Sequence, residues 1–147
     1  MSTLGSSTCT MGELFDRAIR RFGDRPAIVD GKSKLTYRQL GARISQYKSA
    51  FVALGLKNGD AVGLLVTNTI EAYSVMAAAI CMGVRYTALH PMGSLDDHLF
   101  IVGDAEIDML IVEPTAYAAR IEPLSKACKI ATLGPSERHT DISALAD

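Results

Sequence analysis

Strand-like and helix-like segments alternate between Asp60 and Leu133, and this order constrains the fold more than any other feature of the sequence. Val62–Val66 is a near-continuous apolar run, which is typical of a strand buried on both faces. The predicted segments in chain order are strand Val62–Val66, helix Ile70–Met82, strand Arg85–Leu89, helix Leu95–Gly103, strand Ile107–Val112, helix Thr115–Lys126 and strand Lys129–Leu133. Because strands joined by helices run parallel, the sequence predicts an α/β fold: a parallel sheet of strand–helix units with helices on both faces.

Two amphipathic helices are predicted before this sheet. Apolar residues at helical spacing indicate the first at Met11–Phe22, and Thr10 with Glu13 has the capping-box pattern at its start. The second, Tyr37–Leu54, has a single apolar stripe over about five turns, and Thr36 with Gln39 has the capping-box pattern at its start. Gly55 follows it, where a left-handed residue commonly ends a helix.

A short hairpin is predicted between these helices. The strand-like segments Ala27–Val29 and Lys34–Thr36 flank Asp30-Gly31, which is a hairpin turn signal. Gly31-Lys32-Ser33 matches the end of a phosphate-loop pattern, but Pro26 stands where that pattern requires its first glycine. The segment is therefore interpreted as a turn.

Composition excludes several classes of protein. The 147 residues are 48% hydrophobic and 21% charged with a net charge of −1, so the basic surplus of a nucleic-acid-binding protein is absent. The three cysteines are far apart in sequence, which gives no zinc pattern and favours a reducing compartment. Residues 1–10 lack the features of a secretory signal, and the apolar run Val75–Val84 is too short for a bilayer span. We therefore expect a cytoplasmic location.

The length fits one domain. Residues 1–10 are rich in Ser and Thr and are predicted to be a flexible N-terminus. Residues 134–147 are polar and are predicted to be a connecting tail.

Ser94, Asp96, Asp97 and His98 combine the residue types of a catalytic triad. They are too close in sequence for the usual triad geometry, and no Gly-x-Ser-x-Gly elbow accompanies them. A serine followed by acidic residues at the start of a predicted helix is typical of capping, which is the interpretation that we favour.

Two residues follow buried strands at the edge where ligands often bind in such sheets. His90 comes just after a predicted strand and precedes a proline, a context in which a loop histidine bonded to nearby backbone is the more common finding. Asn68 lies between a buried strand and a buried helix, and we expect it to cap that helix together with Glu71.

A basic cluster lies on and after the first helix, formed by Arg17, Arg20, Arg21 and Arg25. Contact with anionic lipid headgroups or an acidic partner is one interpretation. Because acidic residues interrupt the cluster, a solvated helix face is the interpretation that we favour.

Several short motifs occur in a characteristic order. They are Leu35-Thr36-Tyr37, Ala53-Leu54-Gly55-Leu56, Gly59-Asp60, Thr67-Asn68-Thr69, Met82-Gly83, Leu89-His90-Pro91, Asp104-Ala105 and Leu110-Ile111-Val112. Their order and spacing resemble the N-terminal subdomain of the adenylate-forming ligases, which include acyl-CoA synthetases, luciferase-like enzymes and nonribosomal adenylation domains. The segment 141–146 is similar to the one that precedes the family's phosphate loop.

This resemblance implies that the chain is the N-terminal part of a larger enzyme. The family activates a carboxylate with ATP and Mg²⁺ as an acyl-adenylate, releases pyrophosphate and then passes the acyl group to coenzyme A. The resemblance places the phosphate loop, the acyl pocket and the catalytic lysine outside this chain, so no residue here is assigned a catalytic, cofactor-binding or metal-binding role. The implied partners are the remainder of the parent chain and, through it, a carboxylic acid such as a fatty acid; self-association is a further expectation.

Two other interpretations are open at this stage. The chain could come from a fatty acyl-AMP ligase or adenylation domain that loads a carrier protein. It could also be a stand-alone, non-catalytic α/β interaction module.

Overall fold

The computed structural model describes residues 9–146, so the prediction of a flexible N-terminus falls largely outside the described residues. Twelve elements are present among them. They are α1 (Met11–Phe22), β1 (Pro26–Asp30), β2 (Ser33–Thr36), α2 (Tyr37–Ala53), β3 (Ala61–Leu65), α3 (Ile70–Met82), β4 (Arg85–Ala88), α4 (Leu95–Asp104), β5 (Met109–Val112), α5 (Pro114–Ser125), β6 (Lys129–Thr132) and α6 (Ile142–Ala146).

Four parallel strands form the sheet in the order β4-β3-β5-β6. Every residue of β3 and β5 is buried, as the continuous apolar character of these strands predicts. The prediction of a parallel α/β sheet is confirmed.

Side chains alternate between the two faces of the sheet. Val62 and Leu64 point to the face that α2, α3 and α6 cover, whereas Leu65 points to the face that α4 and α5 cover. Gly63 also points to the second face, where a Cβ atom would lie 2.7 Å from Leu110 Cδ1 and 2.8 Å from Ile107 Cδ1. A larger residue at position 63 would therefore push these side chains apart.

The N-terminal helix α1 forms an outer layer on α2 and α3. Phe15 and Ile19 pack against the core beneath, and Phe15 meets Tyr73 of α3 edge to face with ring centroids 6.3 Å apart. The strands β1 and β2 form the predicted antiparallel hairpin, and Gly31 at its turn has a φ of +56°.

Most predicted helix caps are confirmed. Thr10, Thr36 and Ser94 each form a complete capping box, and Gly55 has the predicted left-handed conformation with a φ of +84°. The prediction for α3 is wrong, because Thr69 and not Asn68 is its N-cap. The hydroxyl of Thr69 accepts a hydrogen bond from the backbone N–H of Ala72 at 3.1 Å.

The segment that was expected to be a polar connection contains α6. Ile142 is fully buried against the face of the sheet that α2 covers. The carboxylate of Asp141 starts this helix by accepting a hydrogen bond from the N–H of Ser143 at 2.8 Å. The polar residues around this helix led to the wrong prediction, since two buried residues, Ile142 and Ala146, in a five-residue helix are too few to form a recognisable periodic pattern.

Candidate functional site

The topology of the sheet indicates where a crevice should lie. From β3 the chain crosses to β4 on one side, and from β5 it crosses to β6 on the other. Ligands of open α/β sheets bind outside the carboxyl ends of the strands where the order reverses in this way. That point lies between the ends of β3 and β5.

A hydrogen-bonded pair occupies this point. The Glu113 carboxylate follows β5 and accepts hydrogen bonds from the backbone N–H of Thr67 at 2.8 Å and from its hydroxyl at 2.6 Å. The backbone N–H of Glu113 donates to Leu65 at 3.0 Å. Both side chains are half-buried, and the pair ties the two strand ends together.

The neighbouring strand end is closed in a similar manner. The Thr132 hydroxyl donates to the carbonyl of Gly134 at 2.9 Å, and the backbone N–H of Gly134 donates to the Asp141 carboxylate at 3.0 Å. These bonds hold the turn that follows β6 at this end of the sheet.

An open cleft of about 400 Å³ lies on the other side, beside β4. Ile28 and Val29 of the hairpin form one wall, and Tyr73, Met76 and Tyr86 are among the residues opposite. Burial raises the pKa of the Tyr86 hydroxyl, which therefore stays protonated at neutral pH. The lining is mainly apolar and suits the packing of another apolar surface better than it suits a charged ligand.

Asn68 lies at the rim of this cleft and is exposed. Its side chain forms no hydrogen bond with any other residue of the range 9–146. The structure therefore assigns it no capping role.

The two histidines near β4 meet across the loop between β4 and α4, His90 from the loop and His98 from α4, which the sequence did not indicate. The carbonyl of His90 accepts a hydrogen bond from the His98 ring at 2.9 Å, and the His90 ring accepts one from the backbone N–H of Met92 at 3.1 Å. A carbonyl only accepts, so His98 Nε2 carries the proton. His98 is 1% exposed, and within the described part of the chain its Nδ1 atom has no partner. Gly93 permits this packing, because a Cβ there would lie 2.7 Å from His98 Nε2.

Both histidines thus hold the loop in place, and the expectation that His90 bonds to nearby backbone is confirmed.

The capping interpretation of the serine and acidic cluster is confirmed as well. Asp97 Oδ2 accepts a hydrogen bond from the Ser94 hydroxyl at 2.7 Å, and Ser94 lowers the pKa of this carboxyl through its hydroxyl and backbone N–H. Asp97 and Ser94 are exposed and form no triad with His98, whose ring bonds elsewhere.

The described residues offer neither a metal cluster nor a thiolate at Cys81 or Cys128. Within residues 9–146 no cluster of three His, Cys, Asp or Glu side chains has the geometry of a metal site. The carboxylate nearest the crevice, Glu113, is already engaged by Thr67. Burial raises the pKa of the Cys128 thiol to about 11 and also raises that of Cys81, so neither is a thiolate at neutral pH.

The sequence did not point to Thr67 and Glu113 as partners. Each comes immediately after a buried strand, and this position is the one signal that could have singled them out.

Comparison with known proteins identifies the family of this chain. The model of the AMP-binding enzyme family matches residues 15–146, which is most of the chain. The chain belongs to the AMP-binding enzyme family. The predicted kinship with adenylate-forming ligases is therefore confirmed.

Curated members of the AMP-binding family include ligases with different acyl acceptors. The chain is 41% identical over 129 residues to the medium/long-chain-fatty-acid–CoA ligase FadD8 of Mycobacterium tuberculosis, covering 84% of this chain and 23% of that protein. It is 28% identical over 108 residues to the L-proline–[L-prolyl-carrier protein] ligase of Pseudomonas fluorescens, covering 74% of this chain and 21% of that protein. The chain thus spans less than a quarter of the length of these AMP-binding enzymes.

The fold of this AMP-binding family chain also occurs in a solved structure. The luciferase-like enzyme of the nonluminescent mealworm Zophobas morio superposes with a TM-score of 0.87 at 20% identity, covering 95% of this chain and 34% of that one. Within residues 9–146, no helix of the chain has both the length and the apolar character needed to cross a bilayer.

Proposed function

We propose that residues 1–147 are the N-terminal part of the large domain of an AMP-forming fatty acid–CoA ligase. The observation that carries this proposal is the 41% identity to a fatty acid–CoA ligase over 84% of the chain. The parent would activate a carboxylate as an acyl-adenylate, with release of pyrophosphate, and then form the coenzyme A thioester.

The chain itself would serve as a scaffold. The Thr67–Glu113 pair ties the strand ends together at the reversal of strand order, which suits a structural role. ATP, Mg²⁺ and coenzyme A would be bound by other parts of the parent. The apolar cleft beside β4 would pack against those parts, and a cytoplasmic location remains our expectation.

A carrier-loading ligase is the second candidate, and one relative of that class supports it at 28% identity. The 41% identity to the coenzyme A ligase makes coenzyme A the acceptor that we favour. The parent enzyme should release AMP, pyrophosphate and acyl-CoA, which mass spectrometry identifies. A stable acyl-adenylate without acyl-CoA would replace our first choice with carrier loading.

The scaffold role is tested with the chain alone and with a chimera. The 147-residue chain should show no acid-dependent exchange of pyrophosphate into ATP with a panel of carboxylic acids. A chimera in which this chain replaces the aligned segment of FadD8 should form acyl-CoA when ATP, Mg²⁺ and a fatty acid are present.

FadD8 without that segment is the matched control and should be inactive. Acid-dependent exchange of pyrophosphate into ATP by the isolated chain would contradict the scaffold role. A soluble, folded chimera that makes neither acyl-adenylate nor acyl-CoA would contradict the ligase assignment and favour an independent interaction module.

A further inference from the structure

Helix α1 has an outer flank that the core does not use. Its inner side places Phe15 and Ile19 against α2 and α3. On the outer flank, Met11, Leu14, Arg17 and Arg21 follow one another at spacings of three or four residues and share one side of the helix. Met11 is 58% exposed and Leu14 is 46% exposed. We call these four residues and Arg25, which follows the helix, the arginine flank.

Three positive charges of the arginine flank lack ion pairs. No carboxylate among residues 9–146 forms a salt bridge with Arg17, Arg21 or Arg25. The other arginines nearby are neutralised, since Arg20 pairs with Asp16 at 2.7 Å and Arg38 pairs with Asp24 at 3.0 Å. The remaining acid of the helix, Glu13, accepts the backbone N–H of Thr10 at 2.7 Å in the capping box. Glu13 lies one turn before Arg17 and offsets part of its charge, whereas Arg21 and Arg25 have no ion-pair partner among residues 9–146. The flank therefore keeps a net positive charge.

One aromatic ring holds two of these guanidinium groups. The central carbons of Arg21 and Arg25 each lie 5.5 Å from the centroid of the Phe22 ring. Tyr37 supports this ring, with the two ring centroids 5.6 Å apart. Two exposed like charges thus lie beside the same ring, an arrangement that an external anion would stabilise.

The exposed apolar side chains decide which anion fits. A dissolved phosphate would use the guanidinium groups but would gain nothing from Met11 and Leu14. The headgroup boundary of an anionic bilayer offers phosphates to arginines and an apolar layer to the neighbouring side chains. We propose that the arginine flank docks this protein onto the surface of anionic lipid bilayers. This proposal does not rest on the ligase function.

Vesicle sedimentation of the 147-residue chain tests the proposal. The chain should bind vesicles of phosphatidylcholine with phosphatidylserine, and binding to pure phosphatidylcholine should be far weaker. Added salt should weaken the binding because it screens exposed charges. The variant Arg21→Gln with Arg25→Gln should lower the partition coefficient by about 25-fold, which corresponds to about fivefold for each arginine.

The matched control is Lys57→Gln with Lys129→Gln, which removes the same charge from exposed residues remote from α1. This control should bind within about twofold of the original chain. Circular dichroism should show that all variants keep the fold, because the altered side chains are exposed.

The variant Leu14→Ser separates a bilayer from other anionic partners. It should weaken vesicle binding, whereas inorganic phosphate at the same ionic strength as a chloride control should not displace the vesicles. Any of three outcomes would overturn the proposal. They are equal binding of the chain to both kinds of vesicle, unchanged binding of the arginine variant, and an equal loss of binding in the lysine control. An unaffected Leu14→Ser variant or specific displacement by phosphate would also overturn it and would point to a dissolved anion or an acidic protein.

Discussion

At the scale of single residues, the start of α3 shows how backbone geometry selects a cap. Thr69 has an extended backbone, with φ −127° and ψ 167°, immediately before the first helical residue. From that position its hydroxyl reaches the N–H of Ala72. Asn68 is one residue farther away and points to the cleft rim, so its better intrinsic capping ability has no effect.

Thr69→Ala should lower the free energy of unfolding by about 1 kcal/mol, because the N–H of Ala72 loses its acceptor. Asn68→Ala is the neighbouring control and should change it by less than about 0.5 kcal/mol, as exposed substitutions usually do. Urea titration of both variants measures the difference. Equal destabilisation by the two substitutions would show that Asn68 also supports the helix.

His98 is a second case in which one residue organises several others. Its ring anchors the loop after β4 through the His90 carbonyl, and Gly93 leaves the space for it. The guanidinium of Arg120 donates to the carbonyl of Gly93 at 3.3 Å and holds the same loop from α5. Contacts from α4 and α5 therefore fix the loop, and the exposed Met92 in this loop is held at a defined position.

At the scale of secondary structure elements, α6 contributes more to the hydrophobic core than its length of five residues suggests. It packs along α2, and Ile142 lies in the same buried cluster as Tyr47. A parallel bridge between Thr132 and Asp141 connects the start of the helix to the sheet. The C-terminal segment is thus part of the core and not a loose extension of it.

Ile142→Ala should destabilise the chain by about 2 to 5 kcal/mol, because it leaves a cavity under a fully buried side chain. Leu145→Ala on the same helix is the control, since Leu145 is 42% exposed and should matter much less. Thermal and denaturant unfolding provide the measurement. Similar small effects of both substitutions would mean that α6 frays in solution and stabilises little.

At the scale of the whole molecule, the side beside β4 and the hairpin is not covered by other described elements. β4 is an edge strand, and β1 and β2 form a sheet of only two strands among the described elements. Between them lies the apolar cleft, with Val29 63% exposed at its wall. Exposed strand edges beside apolar surface favour association with other chains.

The isolated chain should therefore self-associate through this side, and light scattering should show an apparent mass that rises with protein concentration. Val29→Lys should reduce the association, because it places a charge at the cleft. Val52→Lys should leave it unchanged, since Val52 is similarly exposed, at 65%, but lies on α2. A strictly monomeric chain at all concentrations would instead support an independent module.

The order of strands and helices, the hairpin and most helix caps were predictable from the sequence. These features depend on residues a few positions apart, such as Thr10 with Glu13 or Ser94 with Asp97, so the local sequence encodes them. The order of the motifs also indicated the family, which the comparisons show independently.

The arrangement of these elements relative to one another was not predictable from local patterns. The strand order, the bond between Thr67 and Glu113 and the burial of Ile142 depend on contacts between distant parts of the chain. Local sequence patterns do not encode such contacts. The free energy that selects these contacts comes from packing and hydrogen bonding in the assembled core. The same holds for the arginine flank, where the sequence supplied the charges and the fold determined which of them found a partner.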